Sequence, residues 1–73
     1  MTKLPVISGK EAIKALSKAG FYLKRQKGSH IILRRDSPFA QVTVPNHPII
    51  DRGTLRSILN QAGLTLEEFS DLL

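Results

Sequence analysis

The stretch Lys27-Gly28-Ser29-His30, followed directly by Ile31-Ile32-Leu33, decides how the middle of this chain folds. Glycine and serine are turn residues, and glycine takes the positive φ angles that a tight hairpin connection requires. The β-branched residues that come next are typical of a strand. The stretch therefore predicts a hairpin turn, with His30 as the first residue of the strand that leaves it.

The surroundings of this hairpin are strongly basic. Within twelve positions, and with no acidic residue among them, the sequence places Lys24, Arg25, Lys27, Arg34 and Arg35. The net charge of the chain is +5, which divides into +8 for residues 1–35 and −3 for residues 36–73. Such asymmetry is typical of an oriented nucleic-acid-binding surface. We therefore expect His30 to face a polyanion.

Length and composition limit the remaining possibilities. A chain of 73 residues is expected to fold as a single domain over residues 1–73, with a small core and no deep substrate cavity. Because it has no cysteine and two histidines, it offers poor ligands for zinc, and we expect neither a metal nor another cofactor. No apolar run has membrane-spanning length and the first residues lack a signal-peptide pattern, so the expected location is cytoplasmic.

Three helices are predicted from the capping signals at their first residues. Ser8 with Glu11 forms a capping box, Asp51 precedes a second amphipathic segment, and Thr65 with Glu68 forms another capping box. Glycines at the ends of the first two segments predict where those helices stop. The apolar residues at helical spacing, which we expect to face the core, are Ala12, Ile13, Leu16, Ala19, Leu55, Ile58, Leu59, Ala62, Leu66, Phe69, Leu72 and Leu73.

Three strands are predicted between the first two helices. In the first strand, Phe21 and Leu23 are expected to point inward. The run Ile31-Ile32-Leu33 predicts a middle strand, and residues 40–44 alternate as a third. The predicted fold class is therefore α+β, with the order α-β-β-β-α, a three-stranded antiparallel sheet packed on helices and a short C-terminal helix. This is the order of a double-stranded-RNA-binding domain.

Four segments carry a closer resemblance, over nearly the whole chain. They are Ser8-Gly9-Lys10-Glu11, Lys27-Gly28-Ser29-His30, Val44-Pro45-Asn46-His47 and residues 53–64. In this order and spacing the sequence resembles the HicA (YcfA-like) toxins of bacterial toxin–antitoxin systems. The resemblance implies an mRNA interferase with a fold like that of double-stranded-RNA-binding domains. It also implies that the catalytic histidine is His30 and that a HicB-type antitoxin blocks the site.

The chemistry of the residues is compatible with that function. Metal-free RNA cleavage needs a base for the 2′-hydroxyl proton, cations for the phosphate and an acid for the leaving oxygen. His30 suits the base, and the acid is unassigned. His47 is a candidate, although its neighbouring prolines favour a loop histidine bonded to backbone. The residues predicted to bind RNA are Lys24, Arg25, Lys27, Gly28, Ser29 and Arg34. Strand alternation lets only some of them share a face with His30.

Two other functions fit parts of the sequence. A non-catalytic RNA-binding module would use the same fold, with His30 only contacting phosphate or 2′-hydroxyl groups. Residues 55–73 also resemble a helix-turn-helix locally. The second helix of that motif would present acidic residues and no lysine or arginine to the major groove of DNA. Arg52 and Arg56, one helical turn apart, fit a solvated helix face as well as an RNA contact.

Overall fold

One antiparallel sheet carries the helices on one of its two faces. The computed structural model describes residues 3–73, and its elements in chain order are α1 (Gly9–Lys18), β1 (Tyr22–Lys27), β2 (His30–Asp36), β3 (Phe39–Pro45), α2 (Arg52–Ala62) and α3 (Leu66–Leu72). β2 lies between β1 and β3 and is antiparallel to both. The predicted α+β order, with β2 in the middle, is confirmed.

Each helix begins at the residue that the capping signals predicted. The Ser8 hydroxyl accepts a hydrogen bond from the Glu11 amide, and the Glu11 carboxylate accepts one from the Ser8 amide. Thr65 and Glu68 repeat this reciprocal pair at α3. At α2 the cap is a single interaction, in which the Asp51 side chain accepts a hydrogen bond from the Thr54 amide. Because each cap satisfies amides that the first helical turn leaves unpaired, these short local patterns fix the three starting points.

The strand register divides the sheet residues between two faces. We define the outer face by side chains on the side away from the helices: Tyr22, Arg25, Lys27, His30, Ile32, Arg34, Asp36, Phe39, Gln41, Thr43 and Pro45. The inner face, turned toward the helices, carries Leu23, Gln26, Ile31, Leu33, Arg35, Ala40, Val42 and Val44. The two sets interleave along every strand, as the pleat requires.

The core fills the space between the inner face and the three helices. The fully buried large side chains are Phe69, Leu16, Leu33, Leu55, Ile58, Val42 and Val44. Most of the predicted helical core residues are buried or partly buried, whereas Leu73 at the chain end is 48% exposed. Ala15 and Ile50 join the core without having been predicted. Ile50 lies outside the helices, where helical spacing gives no signal.

Leu23 departs from the prediction. Its pairing with Leu33 turns it to the inner side as expected, yet it is 61% exposed rather than packed. The reason is its position on an edge strand, since α1 and α2 pack mainly against β3. A bulge between Leu23 and Arg25 further interrupts the pairing of β1 with β2.

The opposite edge of the sheet is covered. The side-chain oxygen of Gln61, in α2, accepts a hydrogen bond of 3.0 Å from the backbone amide of Thr43 in β3. The amide nitrogen of Gln61 donates in turn to the Ser57 hydroxyl at 3.1 Å. A side chain of α2 therefore occupies one backbone donor at the free edge of β3. Within residues 3–73 no helix is long and apolar enough to cross a membrane.

Candidate nucleic-acid interface

The hairpin between β1 and β2 places His30 at the start of the central strand. Gly28 has a φ of +60° and Ser29 does not have a positive φ, which is the pattern of a two-residue type II′ turn. A Cβ at Gly28 would meet no atom within 4 Å, so its glycine is needed for the φ angle and not for space. The turn sets Lys27 opposite His30 on the outer face.

The loop after β3 brings the second histidine to the same place. The backbone amide of Asn46 donates to the Ser29 carbonyl oxygen at 2.7 Å, which ties this loop to the hairpin turn. A shallow depression of about 260 Å³ is lined by His30, Thr43, Pro45, His47, Asp51 and Thr54. Both histidines are exposed, and within residues 3–73 neither imidazole is engaged in a hydrogen bond. The two rings are therefore free to meet a ligand.

The first residue of α1 fixes the position of the His47 loop. The Gly9 amide donates to the His47 carbonyl oxygen at 2.9 Å. A Cβ at Gly9 would overlap the Pro45 carbonyl oxygen and would come within 3.0 Å of the Cα of Asn46. Because glycine alone allows this approach, the backbone that carries His47 rests directly against the start of the helix.

Asp51 places a fixed negative charge beside the depression. Its carboxylate accepts a hydrogen bond of 2.8 Å from the Thr54 amide and one of 3.0 Å from the Thr54 hydroxyl. These two bonds, the amide bond first, hold the pKa of Asp51 below its ordinary value. The nearby His47 acts in the same direction more weakly. Asp51 is therefore a carboxylate at neutral pH, next to His47.

Only part of the predicted RNA-binding set shares the face of His30. Arg25, Lys27 and Arg34 lie on the outer face with it, whereas Gly28 and Ser29 form the turn. Lys24 lies in the bulge, where the register passes from Leu23 directly to Arg25. Arg25 and Lys27 are exposed, and no ion pair or hydrogen bond of their side chains is found among the described residues. Their charges are available to an external anion.

Arg34 is held in place at the other end of the outer face. Its Nε and Nη2 atoms donate to the Gln41 side-chain oxygen at 3.3 and 3.0 Å. Its guanidinium carbon lies 5.6 Å from the centroid of the Phe39 ring. Beside it, the Tyr22 hydroxyl donates to Asp36 at 2.9 Å, and this bond raises the pKa of Tyr22. This end of the face therefore combines two aromatic rings with hydrogen-bonded charged side chains.

Comparison with known families decides the assignment. A family model described as the HicA toxin of bacterial toxin–antitoxin systems matches residues 9–64, more than half of the chain. The chain belongs to the HicA toxin family. No curated protein matches the sequence significantly. HicA toxins are generally ribonucleases and pair with antitoxins. The matched span runs from the start of α1 past the end of α2, so it includes both histidines of the depression.

One cation of this HicA chain does not lie where the sequence indicated. Arg35, counted among the five cations around His30, is on the inner face. Its guanidinium carbon lies 4.7 Å from the centroid of the Phe21 ring. Its Nε donates to the Pro38 carbonyl oxygen at 3.0 Å and its Nη2 to that of Ala62 at 3.3 Å. Strand alternation turns it away from His30, and it joins β2 to the end of α2.

The aromatic end of the outer face was not among the predicted features of this HicA chain. Phe39, Gln41 and Tyr22 were not predicted to belong to a binding surface, although Phe39 and Gln41 alternate with the inward residues of β3. That alternation is the signal that places them on the face of His30. Arg52 and Arg56 are exposed on α2. Across residues 3–73 no group of three or more histidine, cysteine or acidic side chains is arranged to hold a metal ion.

Proposed function

We propose that this HicA chain is an mRNA interferase, an endoribonuclease that cleaves mRNA without a metal ion and so inhibits translation and growth. The observation that carries the proposal is the shared depression of His30 and His47 on a face that also presents Arg25 and Lys27. Two imidazoles next to exposed cations supply the groups that transesterification of RNA requires.

The reaction follows from the roles of the two histidines. His30 takes the proton of a ribose 2′-hydroxyl, and the 2′-oxygen attacks the adjacent phosphorus. The bond between phosphorus and the 5′-oxygen breaks, and the leaving 5′-oxygen takes a proton from His47. The products are a 2′,3′-cyclic phosphate and a 5′-hydroxyl end. Imidazole suits both steps because it gains and loses protons near neutral pH.

The charged neighbours support these steps. Arg25 and Lys27 lie on the same face as His30, where they offset the negative charge that accumulates on the phosphate. The Asp51 carboxylate, held by Thr54, lies at the wall of the depression beside His47. Asp51 thus adds a carboxylate to the wall of the depression next to the proposed acid.

The antitoxin partner follows from the same surface. We propose that a HicB-type protein neutralises the toxin by covering His30 and the cations of the outer face. Covering unpaired cations is costly, so the partner is expected to present acidic or hydrogen-bonding groups to Arg25, Lys27 and Arg34. A complex in which His30 stays open to solvent would contradict direct masking.

The decisive experiment is cleavage of a defined RNA in excess EDTA. We expect cleavage to persist and to leave cyclic phosphate ends, while an RNA with a 2′-deoxy substitution at the cut position stays intact. Activity that returns only on addition of a divalent metal would contradict the two-histidine mechanism. Tight RNA binding without any cleavage would favour the alternative, a non-catalytic RNA-binding module that uses His30 for contact only.

A further inference from the structure

We infer that the Phe39 end of the outer face is a nucleobase-stacking site for single-stranded RNA. The site is built from Phe39 and Arg34, with Tyr22 beside them. This inference rests on the proposed function in one respect, that RNA is the ligand of the outer face. It adds a second contact region, separate from the depression that holds the two histidines.

The exposure of Phe39 is the first observation. Its side chain is 67% exposed, although it stands in regular strand pairing opposite Asp36. Arg34 lies over the ring, and Gln41 fixes the guanidinium through two hydrogen bonds. An aromatic ring with a guanidinium over it is a ready stacking surface, because every nucleobase has a π-face that stacks on rings and on arginine planes.

Two arginines and one carboxylate surround the aromatic rings on this part of the outer face. Arg25 and Arg34 contribute positive charge to the outer face, and the carboxylate of Asp36 accepts the hydrogen bond of the Tyr22 hydroxyl. Tyr22 itself is 43% exposed and pairs with Arg34 across the strands. Aromatic rings interleaved with cations are the arrangement by which proteins bind single strands without reading a long sequence.

The depression and this site lie at opposite ends of β2. His30 begins β2 and Asp36, opposite Phe39, ends it, so the two ends are separated by six strand steps, or about 20 Å. Arg25, opposite Ile32, lies between them on the same face. A single strand cut at His30 therefore passes Arg25 and reaches Phe39 a few nucleotides from the scissile phosphate.

The test measures binding without relying on cleavage. The probe is a fluorescein-labelled 2′-O-methyl oligonucleotide of about eight nucleotides, which falls in the range that one single-strand-binding domain covers. It has no free 2′-hydroxyl to attack. We expect Phe39→Ala to weaken its binding by about 5- to 150-fold, the factor that corresponds to one lost stacking contact. Phe39→Leu should weaken it similarly, and Phe39→Trp should retain wild-type affinity.

The matched control is Leu23→Ala. Leu23 is 61% exposed and is also a large apolar residue of the sheet, but it lies on the inner side. Its removal should leave RNA affinity unchanged. The slope of log K against log salt should also be the same in Phe39→Ala as in the wild type, because stacking releases no counterions. Circular dichroism melts establish that each variant is folded.

Several results would overturn the stacking site. Phe39→Ala or Phe39→Leu with wild-type affinity would show that the ring does not bind a base. If Phe39→Ala keeps RNA binding and loses antitoxin binding, the residue is a protein contact instead. A wild-type protein that binds the probe but never cleaves RNA would overturn only the proposed function. A wild-type protein that binds no oligonucleotide would overturn both.

Discussion

The two faces of the sheet use the same kinds of residue for different purposes. Arg34 and Arg35 are neighbours in β2, and each guanidinium contacts an aromatic ring. Arg35 packs on Phe21 and bonds the end of α2, whereas Arg34 is held on the open surface by Gln41. The difference shows that one step along a strand separates a cation that holds the fold from a cation that is presented to a ligand.

The largest effect should come from His30→Ala, on the outer face. Loss of a general base costs a factor of about 10²–10⁴ in rate, so RNA cleavage should almost disappear. His30 is exposed at the start of its strand, and the free energy of unfolding should change by less than about 1 kcal/mol. RNA binding should largely survive, since Arg25, Lys27 and Arg34 remain. Cleavage assays, urea unfolding and RNA titration check the three statements.

Two outcomes would contradict the catalytic role of His30. If His30→Ala unfolds the protein, His30 supports the turn and has a structural role, like the residues of the inner face. If the variant cleaves RNA at the wild-type rate, the catalytic group lies elsewhere. His47→Ala is then the next variant to measure, because it lines the same depression.

The next effect in size concerns the arginine pair. Arg35→Ala removes the hydrogen bonds to Pro38 and Ala62 and the contact with Phe21, and should lower the free energy of unfolding by about 1–3 kcal/mol. Arg34→Ala is the matched control. It should change stability less than Arg35→Ala does, because the Arg34 hydrogen bonds to Gln41 are solvent-exposed whereas the Arg35 bond to Ala62 is partly buried.

RNA binding should be affected in the reverse order, more by Arg34→Ala than by Arg35→Ala. The salt dependence of log K for single-stranded RNA should become shallower by about 0.7 in Arg34→Ala, the value for one phosphate contact. In Arg35→Ala it should not change. Equal destabilisation by both substitutions, or equal loss of RNA affinity, would mean that the two faces are not functionally distinct.

The smallest effect is expected where the two faces meet, at Asp51. This residue caps α2 of the core layer and also lines the depression. Asp51→Ala should lower the melting temperature through the lost cap, while Asp51→Asn, whose side-chain oxygen still accepts from Thr54, should lower it less. Cleavage should fall in both variants, because both remove the negative charge from the wall of the depression. Thermal melts should show the smaller destabilisation for Asp51→Asn.

The pH dependence of this cap has a definite sign. The pKa of Asp51 is lower in the folded state than its ordinary value, because the Thr54 bonds favour the carboxylate. Its contribution to stability is therefore complete above the ordinary pKa and is lost as the pH falls through the lowered one. Wild type and Asp51→Asn should converge in stability at acid pH. A constant difference between them down to strongly acid pH would contradict this account.

Much of the fold follows from short local signals in the sequence. Serine, aspartate and threonine caps marked all three helix starts, the run Ile31-Ile32-Leu33 indicated that β2 is the middle strand, and alternation gave the inner face of β3. The exposure of Leu23 did not follow, because alternation gives the direction of a side chain and not whether a helix covers it. Strand alternation places Arg35 on the inner face, opposite Ala40. A count of the charges along the sequence does not show this, because it takes no account of the side to which each residue points.

The candidate site was less predictable than the fold. His30 at the start of its strand followed from the turn residues before it. The approach of His47 depends on contacts between distant segments: the Asn46 amide on Ser29 and the start of α1 on Pro45. Such contacts leave no period or spacing in the sequence. The catalytic and RNA-binding roles of these residues stay predictions for the variants above.

The side chain of Gln61 has a consequence for how copies of this protein behave together. By occupying the Thr43 amide, it removes a backbone donor to which a strand of another molecule would add at the β3 edge. The β1 edge is protected differently, by a bulge and by the repelling charges of Lys24, Arg25 and Lys27. Both borders of the sheet thus discourage edge-to-edge pairing between molecules.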